Sequence, residues 1–469
     1  MSANSADSSL LSKKNLKVPP SFGRWPFGVL PEFRRDQLGL YARAFRECGD
    51  IVRMRFGPFW SYAIFRPDHL KHVFVDNNKN YKRNETGNGL LRAMLGETLL
   101  TSDGDFWLRQ RRLMQPAFHR QKIMGFGSIM TENTARMLAD WDQQPAGEQL
   151  DIDKEMMRLT LRIVGLSLYS IDLANESSGL GRSITASSEY FNYRLGRILA
   201  PPLWVPTKRN KELINSGKAV AHIVPEMIAA RHKLIAEQGT AQESGRQYDM
   251  LDLLMESRYE DSGQPMDDEQ IAREIRMLIG AGHETTSNTL TWTLYLLSQN
   301  PDAETKLQAE VDSVLQGRIP SMEDLPKLPY SKMVIEEAMR LYPAAHANAR
   351  QSIQEDQLGD YYIPPNTGVV FMNYVIHRNP AFWPDPERFD PERFTAANAA
   401  KQHPYAYIPF GGGPHKCIGF QFALYEAQLI LAMITQRYRL RLKAGYQPVP
   451  QPLITLRARD GMPMSLQRR

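Results

Sequence analysis

The sequence predicts a mainly α protein with a smaller β part. Apolar residues recur at helical spacing over most of its 469 positions, strand-like stretches are sparse, and one helical pattern near the middle runs for about 32 residues. With 42% hydrophobic residues the chain can bury a large core.

In chain order, residues 1–35 begin with the polar stretch "MSANSADSSLLSKKNLK" and continue as the proline- and aromatic-rich "VPPSFGRWPFGVLPEF". The first lacks the apolar centre of a signal peptide or anchor. The second is expected to pack irregularly along the surface. Residues 36–469 then read as a single domain, without internal repeat, low-complexity tract or dividing linker. No apolar run approaches the roughly 18 to 20 residues of a membrane span, so a soluble, cytoplasmic chain without a transmembrane anchor is expected. The 57 basic and 52 acidic residues are interspersed, which gives no reason to expect nucleic-acid binding. Only Cys48 and Cys417 carry thiols, a usage that suits a reducing compartment.

Strand signals occur in "DIVRMRFGPFWSYAIF", from Asp50, and in "YYIPPNTGVVFMNYVI", from Tyr361, where β-branched residues flank a Pro-Asn-Thr-Gly turn. The polar stretch "IAEQGTAQESGRQYD" is expected to be a surface loop between helices. The longest helix starts after Asp267, with Gln270 three residues on as in a capping box, and ends before Pro301. About 32 residues at roughly 1.5 Å each would span close to 48 Å, so it must run through the body of the protein. Its middle, "GAGHETTSN", is a poor helix former, because glycine costs about 1 kcal/mol relative to alanine there. Either Gly280, Ala281 and Gly282 clear space for a flat body to reach the backbone, or they mark a close helix crossing. Asn300 and Gly317 bound a following helix, and Pro329 and Pro343 bound another in which Glu337 and Arg340 share a face.

Near the end, "FGGGPHKCIGF" places Cys417 behind three glycines and a proline, just before the pattern "IGFQFALYEAQLILAMITQRY", which reads as an amphipathic helix. A buried inert thiol, a nucleophile and a metal ligand all compete for Cys417. A helix N-terminus favours thiolate over thiol. Neither a histidine and acid pairing suited to a cysteine hydrolase nor further ligands at zinc spacing are evident. A single thiolate on a glycine-rich loop fits best as the axial ligand of haem iron.

At these residues the sequence resembles the cytochrome P-450 superfamily. Phe410, Gly413, His415, Cys417 and Gly419 look like its haem-binding signature, and "AGHET", from Ala281 to Thr285, resembles the oxygen-activating stretch of its long central helix. Glu337 and Arg340 match its Glu-x-x-Arg pair, with Arg393 of "PERF" as the third member of that buried triad. Trp107 and Arg111 match the Trp-x-x-x-Arg that reaches a haem propionate, and Arg350 resembles a further propionate-binding arginine. His415 stands where arginine is more frequent, and its charge depends on pH.

The resemblance implies a long central helix over the haem and a cysteine-ligand loop below it. It implies haem b (iron protoporphyrin IX) held through Cys417, with Ala281, Glu284 and Thr285 on the oxygen side. It further implies a monomeric monooxygenase that inserts one atom of O2 into a hydrophobic small molecule: a fatty acid, terpenoid, steroid or polyketide. The pocket is expected around Gly87 to Leu100, Met277 to Ala281 and Ala344 to Asn348. A peroxide-using or peroxide-rearranging haem-thiolate enzyme is the alternative, though such relatives commonly lack the acid and threonine kept here. No flavin or iron-sulfur module follows Cys417, so electrons are expected from NAD(P)H through a ferredoxin or flavodoxin and its reductase. Arg109, Arg112, Arg120 and Lys416 form the expected docking face.

Overall fold

The computed structural model describes residues 16–23, 27–145, 147–174, 177–197 and 200–469. Within the N-terminal segment, positions 1–15 and 24–26 lie outside the described residues. The remainder departs from the expected irregular packing. Ser21–Phe22 (β1) adds a parallel strand beside Ile51–Phe56 (β2), and Val29, Leu30 and Phe33 are buried.

β2 pairs antiparallel with Phe59–Ile64 (β3) through a turn at Gly57 and Pro58, where Gly57 has φ 61°. A positive φ at the first turn position followed by proline suits a tight hairpin. Alternate residues of these strands serve two cores: Val52, Met54 and Ala63 pack on one side, Ile51, Tyr62 and Ile64 on the other. The six-stranded sheet is completed by Tyr81–Arg83 (β4), Asn348–Ser352 (β6) and Gly368–Phe371 (β7), in the order β1-β2-β3-β7-β6-β4. A three-stranded sheet joins Gln149–Asp151 (β5) to Tyr438–Leu442 (β8) through Pro463–Arg468 (β9).

Helices dominate the rest, around one large apolar core. The long helix Asp268–Gln299 (α3) spans 32 residues, as expected, and its Asp267 cap accepts from the Gln270 N–H. The Gln270 side chain does not return to the cap. It donates to the Glu97 carbonyl and to Glu274. Thr285, Thr289 and Thr293 turn their hydroxyls onto carbonyls four residues earlier, which satisfies them within the helix. Burial of Leu290, Trp292, Leu294 and Leu297 offsets the poor local propensity. Trp292 stacks on Tyr342 at 4.0 Å and donates to the Leu456 carbonyl.

Two other expectations need correction. Phe420–Arg437 (α5) is not amphipathic: from Glu426 to Thr435 every residue is buried, because neighbouring elements enclose it on all sides. The polar stretch from Ile235 contains a short helix, Ala241–Ser244, with a Thr240–Glu243 capping box. Asn300 and Gly317 bound the helix Pro301–Leu315 as expected, with Asn300 at the cap position, although its side chain donates back to the Leu296 carbonyl. Among the described residues no helix is long and apolar enough to cross a membrane.

Candidate active site

The cysteine loop is closed by the Cys417 N–H, which donates to the Phe410 carbonyl at 2.9 Å. Gly411 and Gly413 take φ 71° and 63°, values that L side chains avoid. Gly413 also presses on the Phe74 carbonyl: a Cβ there would lie 1.9 Å from its oxygen. Gly419 has φ −89°, and its N–H points at the Cys417 sulfur. Burial pushes the Cys417 thiol up, while the Gly419 N–H, Arg111 and Lys416 oppose that shift. The residue is nevertheless accessible. Ala281, in the otherwise mostly buried middle of α3, is accessible too.

Trp107 and Arg111 lie four residues apart on Gly104–Met114 (α1), so both face the loop. The Trp107 ring lies 4.0 Å from that of His415, and Arg111 donates to the Lys416 carbonyl at 2.9 Å. Arg350, on β6, is buried; its Nη1 donates to the Asn348 side chain and the Ala349 carbonyl. Directly across the ladder stands Arg83, which sequence reasoning missed. It donates to the Ser102 and Leu99 carbonyls and to His415 Nδ1 at 3.3 Å.

The charges here do not balance. Cross-strand like charges are destabilising; Arg350 is buried and Arg83 half-buried, with Asp103 as their nearby carboxylate. Burial, then Arg83, lowers the Arg350 pKa to about 10. His415 is pushed down to about 3 by burial and then by Arg83, Arg350 and Arg111. It is therefore neutral at physiological pH, with Nδ1 accepting from Arg83. A buried cationic cluster beside an accessible thiol fits an iron porphyrin with two carboxylates.

On α3, Glu284 is buried, which raises its pKa, and it accepts from Thr455 at 2.8 Å. Asn288 donates to the same threonine. The Thr285 hydroxyl instead donates to the Ala281 carbonyl at 2.8 Å, so acid and threonine are neighbours in sequence without bonding each other. The two glycines divide between the two readings of this stretch. A Cβ on Gly282 would meet Val164 of Ile152–Tyr169 (α2) at 3.2 Å, a helix crossing, whereas one on Gly280 would meet nothing within 4 Å. Ala281 is the most accessible of the three, with Gly280 and Gly282 half-buried.

Further away, Pro329–Leu341 (α4) carries the buried Glu337 and Arg340, and the short turn Pro391–Phe394 brings Arg393 to them. Arg340 donates to both oxygens of Glu337, at 2.6 and 2.8 Å, and to the carbonyls of His377, Pro386 and Arg388. Arg393 lies 3.4 Å from Glu337, and the Asp390 N–H donates to the same carboxylate. Of the expected docking residues, Arg109 and Arg112 pair with Asp261 and Glu260; Arg120 and Lys416 are exposed.

A family model described as "Cytochrome P450" matches residues 18–459. The chain is 33% identical over 405 residues to a cyclooctat-9-en-7-ol 5-monooxygenase of Streptomyces melanosporofaciens, covering 86% of this chain and 83% of that one. It is 34% identical over 414 residues to the cyclooctatin synthase of the same organism, covering 87% of each. To the Arabidopsis thaliana protein LUTEIN DEFICIENT 5, chloroplastic, it is 31% identical over 438 residues, covering 90% of this chain and 72% of the other. Similarity that extends over nearly the whole length, in a mainly α fold whose thiol and buried cations suit haem, makes this chain a member of the cytochrome P450 family, a haem-dependent monooxygenase supplied with electrons by a partner.

Proposed function

We propose that Cys417 holds the iron of haem b, that Arg83, Arg111, Arg350 and His415 receive its propionates, and that one atom of O2 is inserted into a hydrophobic small molecule lying beside Ala281. The observation that carries this reading is the Arg83–Arg350 cross-strand pair, Arg350 buried and Arg83 half-buried, whose repulsion a dianionic ligand would relieve. Phe410, Gly413 and Gly419 shape the loop, Trp107 packs it from α1, and Glu337, Arg340 and Arg393 anchor the segment that leads to it. When bound through a thiolate, haem supplies the electron density that favours O–O cleavage.

The chain's own residues handle protons and solvent. Thr285 spends its hydroxyl proton on the Ala281 carbonyl, so its lone pairs are left to accept a donor in the cavity. Glu284, whose burial favours the protonated form, is linked through Thr455 to Asn288, a polar chain on its own side of α3. Retention of this acid and threonine supports use of O2 over peroxide.

Buried Met277 and small Ala281 and Ala344 support an apolar substrate body such as a fatty acid, terpenoid, steroid or polyketide. A relative named for acting on cyclooctat-9-en-7-ol agrees with that. Electrons come from NAD(P)H through a ferredoxin or flavodoxin and its reductase, with exposed Arg120 and Lys416 as the cations available to an acidic partner. The protein acts as a cytoplasmic monomer. The absorption spectrum of the reduced, carbon-monoxide-bound protein tests the thiolate: a strongly red-shifted Soret band is expected, and a band at the ordinary position in folded protein would overturn it. Cys417→His is expected to keep some haem, lose the shifted band and lose monooxygenase activity.

A further inference from the structure

Thr455, which donates to Glu284 at 2.8 Å, lies at the turn of a hairpin in which Pro450–Pro452 pairs with Leu456–Ala458. Arg457 is two residues further along, so its side chain leaves the strand on the same face as that of Thr455. Its guanidinium donates to the Thr185 hydroxyl at 3.0 Å and to Asp153 Oδ2 at 3.4 Å. Thr185 belongs to the helix Ser177–Leu195 and Asp153 to the first turn of α2. One arginine thus ties three elements together beside the acid of α3.

Positive charge is scarce at this junction. Asp153 is 4% exposed, and its Oδ1 has no hydrogen-bond partner among the described residues. Glu284, equally buried, accepts from a hydroxyl. Two buried carboxyls therefore share one guanidinium, and a buried carboxylate needs a paired cation. Asp153 bonds the guanidinium directly and takes the charge; Glu284, held by a neutral partner, keeps its proton. Burial raises the pKa of both acids and Arg457 opposes the rise in both, while Asp153 adds to it at Glu284. Arg457 and Asp153 are the charged groups that act on Glu284. His283, its neighbour on α3, is pushed down to about 4 by burial and is neutral, with Nδ1 donating to the Ile279 carbonyl.

We propose that Asp153 and Arg457 are positioning residues for the proton on Glu284: by claiming the guanidinium, Asp153 leaves Glu284 protonated and able to give that proton up on the oxygen side of the site. This deepens the monooxygenase reading and rests on it. Infrared titration of the haem-loaded protein tests it, following the protonated-carboxyl band that Glu284→Gln removes. Asp153→Asn frees the guanidinium to act on Glu284, so the pH at which the band disappears is expected to fall by about one unit. Arg457→Gln is expected to raise it by about as much, and Arg457→Lys, which keeps the charge, to return it most of the way. A purely structural role would not move the two variants in opposite directions. Peroxide released per electron consumed is expected to begin its rise with pH earlier in Asp153→Asn and later in Arg457→Gln. Should Arg457→Gln fail to fold, Asp153→Asn and Arg457→Lys decide the matter. A midpoint unmoved in Asp153→Asn, shifts of the same sign in Asp153→Asn and Arg457→Gln, or no band assignable to Glu284 in the unaltered protein overturns the proposal. The carbon-monoxide spectrum, recorded on the same samples, separates the two ideas. A red-shifted band with an unmoved midpoint removes the roles of Asp153 and Arg457 alone. An ordinary band with opposed shifts supports those roles and removes the haem-thiolate reading.

Discussion

At Thr285 the hydroxyl proton is already committed to the Ala281 carbonyl, so the side chain acts in the cavity as an acceptor. Thr285→Ala should therefore leave the fold intact and raise the peroxide released per electron consumed several-fold; unchanged coupling would remove the threonine from proton handling. Glu274 is a titrating residue of another kind. Both its oxygens accept from the Leu99 N–H at 3.1 Å, yet burial pushes its pKa up to about 7. Unfolded glutamate titrates near about 4.3. Between those values the folded state holds the additional proton, so stability falls as pH rises through the window, by at most about 4 kcal/mol in all. Glu274→Gln is expected to flatten the decline in Tm between about pH 5 and 8, and parallel melting curves for mutant and parent would contradict that. His415 shows how surroundings set the pH at which a histidine gains its charge. The sequence suggested a pH-dependent cation, whereas burial and Arg83, Arg350 and Arg111 keep the ring neutral.

Two glycines in one loop separate backbone strain from contact. Gly411 and Gly413 share positive φ, but a Cβ on Gly411 meets nothing within 4 Å while one on Gly413 meets the Phe74 carbonyl. Gly411→Ala should cost about 1–2 kcal/mol of left-handed strain and retain haem. Gly413→Ala should displace the loop and lose most of the haem; equal haem content in the two proteins would show that the Phe74 contact does not hold the loop. On α3 the expected limits and the aspartate cap were legible because periodicity and capping are local properties. The division of labour among Gly280, Ala281 and Gly282 was not, since it depends on Val164 of another helix. The same reason explains α5: a helix enclosed on all sides lacks the polar face that an isolated periodicity argument assumes.

Across the molecule, Glu337, Arg340 and Arg393 bind the helical core to the segment that approaches Cys417. Arg340 joins α4 to the carbonyls at His377, Pro386 and Arg388 with full burial of its charge. Lysine offers no planar fork, so Arg340→Lys is expected to strand part of this network and cost about 3–5 kcal/mol. Denaturant unfolding with haem content as a second readout measures it, and a near-neutral midpoint would show that the network is dispensable.

Local rules were enough to expect a mainly α chain, its longest helix, the first hairpin and the chemistry of Cys417, because propensity, period and turn residues act over a few positions. The ordered motifs from Trp107 to Gly419 were legible through their resemblance to the cytochrome P450 family. Tertiary structure alone decided that Arg83 stands opposite Arg350 and that Thr455 reaches Glu284. It also decided that Arg109 and Arg112 are spent on Asp261 and Glu260. Charge balance is set by distances between residues far apart in the chain, and those distances exist only once the sheet and the helical core have closed on each other.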